Sequence, residues 1–238
     1  MEVRHFTERL ALILVALGAC SDNSTGPATN PPFDPANFGG AVTNPFFGLA
    51  PGTINYYEGQ SEGVAQTDSV EVLSETKTIL GVTATVVHDR VYTEGSLTED
   101  TFDWYAQDND GNVWYLGEDT RELEDGQVVS TEGSWEAGVD GAEAGIIMWA
   151  DPSAHIGEEY RQEFAEGVAE DLGKVVAVNQ SVDVPFGSFT GCVKTEDRSA
   201  LEPGILENKF YCPGVGVTSE AGLQGSTDRN ELVELIGP

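Results

Sequence analysis

Basic residues are scarce: 11 Lys and Arg stand against 41 Asp and Glu, a formal charge of −30. A chain so poor in cations cannot neutralise a row of phosphates, which excludes a nucleic-acid binder. It also lacks the charge to dock electrostatically on anionic lipid. Histidine is almost missing, with three residues in 238, so a His-rich zinc site is excluded by supply. Long apolar runs are missing too. The eight residues Leu10–Leu17 are too few to span a bilayer. No long amphipathic helix can be drawn: the best segment, Ala165–Leu172, is interrupted by Gly167 and stopped by Gly173. What remains is 39% hydrophobic and 9% aromatic, too apolar for a wholly disordered chain. The length allows one large domain or two small ones, each with a respectable core.

The short apolar run has an address-like context. A polar head, Arg4 to Arg9, precedes it, and Leu17-Gly18-Ala19-Cys20 follows at once. This resembles the lipobox of bacterial lipoproteins, in which small residues precede a Cys that is acylated and becomes the new N-terminus. The resemblance implies a signal peptide over 1–19, lipid on Cys20, and attachment to the membrane through that lipid. Each buried methylene of an acyl chain adds ~0.8 kcal/mol to the anchor. The removed piece carries two charges of each sign, so the mature chain keeps its −30. Ser21 after the Cys carries no inner-membrane retention signal of the enterobacterial kind, so a cell with two membranes would hold the protein on the outer one.

Cysteine usage agrees with export. Beyond Cys20 only Cys192 and Cys212 remain, an even pair destined for an oxidising space. Each sits in a strand-like segment with Pro203-Gly204 as a turn between them. A disulfide there closes a loop of about 20 residues and contributes roughly 3 kcal/mol.

Residues 20–44 are rich in Pro, Asn, Gly and Ser with no apolar period, and are expected to form a flexible tether. From residue 45 to 238 the period is two. Val82–Tyr92, Thr101–Ala106, Val113–Leu116, Lys174–Val178 and Glu231–Ile236 are β-branched or aromatic and largely alternate. Glu94-Gly95, Asp110-Gly111, Asp125-Gly126, Asp140-Gly141 and Pro213-Gly214 separate such segments as turns. Ten or more strands predict an all-β domain with one antiparallel sheet system. A sheet of that size curves into a barrel or half-barrel, or folds over as a β-sandwich.

Three patterns bear on chemistry. Gly59-Gln-Ser61-Glu-Gly63 matches the nucleophile elbow in letters, but that motif needs a following helix and a strand follows here. Asp108, Asp110 and Asn112, with Glu118 or Asp119 folding back, could ligate calcium; the competing reading is a tight turn, since the sixth position of the loop is Val113 and not Gly. Calcium is the one cofactor for which the sequence offers a place. The aromatics are the third pattern. Trp104-Tyr105 and Trp114-Tyr115, with Trp135, point to both faces of the sheet. They make either a two-sided core or the wall of an apolar ligand cavity.

Asn44-Pro-Phe-Phe-Gly-Leu-Ala-Pro-Gly-Thr53, Asp103–Asp108, Gly111–Glu118, Gly133–Gly141 and Tyr211–Gly216 resemble the motifs of a family of uncharacterised bacterial exported proteins and lipoproteins. The resemblance covers residues 44–220 and implies an antiparallel β fold without implying an activity. The curved-sheet carriers of lipoprotein trafficking are a more distant analogy. The sequence thus favours an envelope-anchored module that binds an apolar or lipidic ligand and does no chemistry on it. The alternatives are a calcium-stabilised extracellular module and a carboxylate-dependent hydrolase. The ligand's identity and any protein partner are not encoded in a form that can be read.

Overall fold

A computed structural model describes residues 30–238. Cys20 and the expected signal peptide lie outside the described residues. The chain runs through short β1 (Thr43–Asn44) and β2 (Phe47–Gly48), then β3 (Ile54–Ser61), β4 (Val64–Ile79), β5 (Val82–Thr93), β6 (Ser96–Gln107) and β7 (Val113–Glu124). Next come β8 (Gln127–Ser130), β9 (Trp135–Glu136), β10 (Glu143–Met148), β11 (Glu159–Arg161) and β12 (Glu163–Phe164). The last five are β13 (Asp171–Val184), β14 (Gly187–Ser199), β15 (Leu206–Cys212), β16 (Gly216–Gln224) and β17 (Arg229–Ile236). Two short 3-10 turns are the only helical pieces among the described residues.

Four of the five two-residue hairpins share one turn type: Glu62-Gly63, Leu80-Gly81, Glu94-Gly95 and Asp125-Gly126. Both residues of each have positive φ, near 51° and then 74–84°, the mirror-image turn whose twist matches that of paired strands. Glycine at the second position carries this conformation without a Cβ clash. The Ser61 pattern is the first of these hairpins. Its hydroxyl donates to Asp228 at 2.9 Å, and no helix follows it.

Every strand pair is antiparallel, and the order is β11-β13-β14-β15-β16-β17-β3-β4-β5-β6-β7-β10-β12, with β8 and β9 added on β7. Pairing of β17 with β3 joins the two ends of the domain. The two ends of this order, β11 and β12, are neighbours in sequence with only Gln162 between them. β11 pairs with β13 while β12 pairs with β10, so one chain segment spans the last gap. The sheet is nearly closed into a barrel. Closure removes the exposed edges that a long open sheet would present.

The disulfide joins Cys192 and Cys212, one step beyond the paired Val193 and Tyr211 on β14 and β15. Both sulfur-bearing residues are fully buried.

An outer layer lies over β4–β7. Residues 30–44, expected as part of the tether, are laid along the barrel instead, because two rings and several polar groups find partners there. Phe33 and Phe38 pack on Trp114 with centroids 5.3 and 6.0 Å away, and Asn30 exchanges hydrogen bonds with the Arg161 backbone. β9 and the β9–β10 connection cover the neighbouring part: Glu136 binds Lys77 at 2.7 Å, and Gly138 lies against Leu80. The barrel wall is therefore buried on both faces in this quarter, which explains adjacent aromatics in one strand.

Candidate functional site

The lumen holds a cavity of about 230 Å³. Strand alternation decides what faces it. Asp68, Val70 and Val72 from β4, Val87 and Asp89 from β5, and Asp103 and Tyr105 from β6 share the inner face. Asn55 and Tyr57 of β3, Lys209 and Tyr211 of β15, and Val217 and Glu220 of β16 complete the ring. Toward the β4–β5 turn the wall is apolar, with Phe47, Leu49, Val72, Val87 and Val217. Toward the middle of the barrel it is polar and mainly acidic. The cavity is amphipathic along the barrel axis.

Asp68 and Asp89 are set diagonally on the β4–β5 pair, opposite Val91 and Val70 respectively, and both line the same cavity. Burial raises the pKa of both, and the charge of Asp68 pushes Asp89 further, well above the usual range. Asn230 donates to Asp68 at 3.3 Å. Asp103 accepts from the Tyr115 hydroxyl at 2.5 Å; burial still lifts its pKa to about 7 against that bond. Opposite Asp103 on β7, Glu118 is raised to about 9 by burial and by the charge of Asp103. Burial raises Glu163 to about 8, although it accepts from the Trp135 indole at 2.9 Å.

One cation sits among these acids. Lys209 lies 3.3 Å from Glu220 and 3.5 Å from Asp197. Burial alone would lower its pKa, but the two carboxylates hold it well above the usual lysine range. Three acceptors on the cavity wall receive nothing from any donor among the described residues: Asn55 Oδ1, Asp68 Oδ1 and Asp89 Oδ1. The nearby donors are committed elsewhere. The Asn55 amide donates to Tyr57 at 3.2 Å, and the Tyr57 hydroxyl to the Val217 carbonyl at 3.0 Å.

The structure divides the five aromatics singled out in the sequence. Tyr105 lines the cavity, Tyr115 stacks on it at 4.8 Å, and Trp135 meets Tyr115 edge-on at 5.4 Å. Trp104 and Trp114 belong to the outer layer. The ammonium of Lys77 sits 3.1 Å from the centroid of Trp104, and Trp114 donates to Asp108 at 2.9 Å. A lumen ligand meets neither.

Three of the four candidate calcium ligands share one turn. Asp108 Oδ1 accepts from the backbone of Asp110 and Asn112 at 3.0 and 2.8 Å, and Oδ2 accepts from the Asn112 amide at 2.9 Å and from Trp114. Asp110 accepts from Asn37 at 2.9 Å. Glu118 pairs with Asp103 across β6 and β7 and belongs to the lumen group. Among the described residues no set of three or more His, Cys, Asp or Glu is arranged to hold a metal ion. Both described His residues are engaged in stacking: His88 on Phe102, with Asp100 at 2.6 Å, and His155 on Trp149, with Glu158 at 2.8 Å.

No protein-family profile matches the chain, and no curated protein matches it. Among solved structures, one assigned as an exported protein with a YmcC-like fold from Bacteroides fragilis is 12% identical, with 82% of this chain and 100% of that chain covered and a TM-score of 0.46. A second, assigned as a lipoprotein of Parabacteroides distasonis, is 13% identical, with 80% and 98% covered and a TM-score of 0.42.

Proposed function

We propose that the chain is an exported lipoprotein, held on the cell envelope through Cys20, whose barrel takes a small ligand with an apolar body into its lumen and does no chemistry on it. In a cell with two membranes its place is the outer one. The observation that carries this reading is the cavity itself. It lies inside the barrel, its lower wall is made of Phe47, Leu49, Val72, Val87 and Val217, and its polar groups converge at the other end. A few convergent polar groups on a mainly apolar wall is the usual make-up of a ligand site. At about 230 Å³ the cavity suits a compact molecule or one short chain, well below the bulk of a diacyl lipid.

Native mass spectrometry of the protein extracted from its own membranes tests the reading. The expected result is excess mass that survives chelator and is lost when Val87→Trp fills the cavity. Bare polypeptide mass for the wild type, or excess mass unaffected by Val87→Trp, would contradict it. Excess mass in steps of one calcium, stripped by chelator, would favour the calcium-stabilised module.

The Asp68–Asp89 pair gives the hydrolase alternative its one specific support, since two carboxyls sharing a proton can act as acid and base. Loss of that activity in Asp68→Asn, with retained folding, would be its signature.

A further inference from the structure

Lumen acceptors outnumber lumen donors, and this imbalance specifies the ligand's polar end. Asn55 Oδ1, Asp68 Oδ1 and Asp89 Oδ1 are buried, face one cavity and accept from no protein donor. Asp68 takes its one bond, from the Asn230 amide at 3.3 Å, on its other oxygen. An acceptor left without a donor in the interior bears the desolvation penalty with nothing to offset it, and three on one wall invite a group that donates.

We propose that the polar end of the cavity is a binding site for a primary ammonium group, so that the ligand is a small amphipathic amine with its apolar body against the Val72–Val87–Val217 wall. This rests on the lumen being a ligand site, as argued above, and adds the chemistry of the head group. An ammonium presents three N–H donors and no acceptor, which matches three acceptors without donors. The wall carries four carboxyls, Asp68, Asp89, Asp103 and Glu220, and a cation beside them favours their ionised forms. Charge-assisted bonds of this kind are shorter and roughly twice as strong as neutral ones.

The competing head groups fit less well. An anion would have only Lys209 to meet, and Lys209 is already held by Glu220 and Asp197 at 3.3 and 3.5 Å. A neutral hydroxyl offers one donor and brings further acceptors to a wall that has too many. A divalent metal asks for a cage of ligands, and no such set is present among the described residues.

The test uses three probes of one shape and different charge: n-hexylamine, n-hexanol and hexanoate. Each is titrated calorimetrically into the full chain in detergent at neutral pH with chelator present. Hexylammonium should bind at least about tenfold tighter than hexanol, and hexanoate weakest of all. In Asp89→Asn, and separately in Asp68→Asn, the advantage of hexylammonium should fall about tenfold while hexanol affinity stays within about twofold. Hexanol binding as tightly as hexylammonium, or a preference untouched in both variants, would overturn the ammonium site and leave the apolar cavity standing. Failure of all three probes to bind would overturn the cavity reading and this inference with it. Because wild-type selectivity alone decides between these outcomes, a variant that fails to fold does not shield the proposal.

Discussion

Asp68 and Asp89 occupy diagonal positions on adjacent lumen-facing strands, where burial raises the pKa of both and the charge of Asp68 pushes Asp89 further, favouring a retained proton. The same retention extends along the wall, with Asp103 at about 7, Glu163 at about 8 and Glu118 at about 9. The stability of the barrel should therefore depend on pH in the direction opposite to that of a protein held by ionised salt bridges. In the unfolded chain these groups lose their protons near pH 4, while in the barrel they keep them to pH 7–9. Between those limits the native state binds more protons, so stability is full below about pH 4 and falls as pH rises through the folded values. Tm should drop by at least roughly 5 °C from pH 5 to pH 8.5 in about 0.5 M salt, where surface repulsion is screened. A Tm that is flat or rises over that range would contradict the retained protons.

Lys209 joins buried Asp197 to half-buried Glu220, and its removal should be costly in a way a second change can repair. Lys209→Met leaves Asp197 and Glu220 without their cation, a loss of about 3–5 kcal/mol for a broken buried pair. Adding Asp197→Asn should recover part of it, giving a coupling of about 1 kcal/mol or more in denaturant melts. Strict additivity would mean that the ion pair does not hold this side of the lumen.

The Cys192–Cys212 bridge closes a separation of 20 residues across β14 and β15. Replacing both with Ala should lower stability by roughly 3 kcal/mol. Peptide mapping without reductant should find the two segments joined, and dithiothreitol should lower the Tm of the wild type alone.

Asp108 organises the β6–β7 connection through four donors. In Asp108→Asn the new amide must face two of those donors with a donor of its own, which should cost about 1–3 kcal/mol. Asp110→Asn, at an exposed residue whose side chain is bonded only to Asn37, should change stability by less than about 0.5 kcal/mol. Chelator should add nothing to either effect; a Tm loss in chelator that Asp108→Asn abolishes would establish calcium there.

Much of the barrel is legible in the sequence, and the site is less so, for a physical reason. Val82–Tyr92 alternates and forms β5 almost as read. Asp125-Gly126 and Glu94-Gly95 announce hairpins because glycine carries the positive φ those turns require. Adjacent aromatics, by contrast, do not reveal which face is lumen. Trp104 and Trp114 became outer-layer residues because residues 30–44 and the β9–β10 connection cover that wall, an arrangement set by long-range packing. Asp68, Asp89 and Asp103 escaped notice among 41 acids. Their signal was parity: each stands two residues from an apolar side chain on the same strand face, as in Asp68-Ser-Val70-Glu-Val72, Val87-His-Asp89 and Asp103-Trp-Tyr105. An acid in phase with the buried set marks a lumen carboxyl, whereas an acid out of phase marks solvent.

The central claim is that small amphipathic molecules enter the lumen, and methyl-labelled NMR reads this directly. Titration with n-hexylamine should shift the methyls of Val70, Val72, Val87, Val215 and Val217, all on the cavity wall, and leave the exposed Val128 and Val129 on the outer hairpin unmoved. Shifts confined to the outer valines, or none at saturating probe, would contradict a binding lumen.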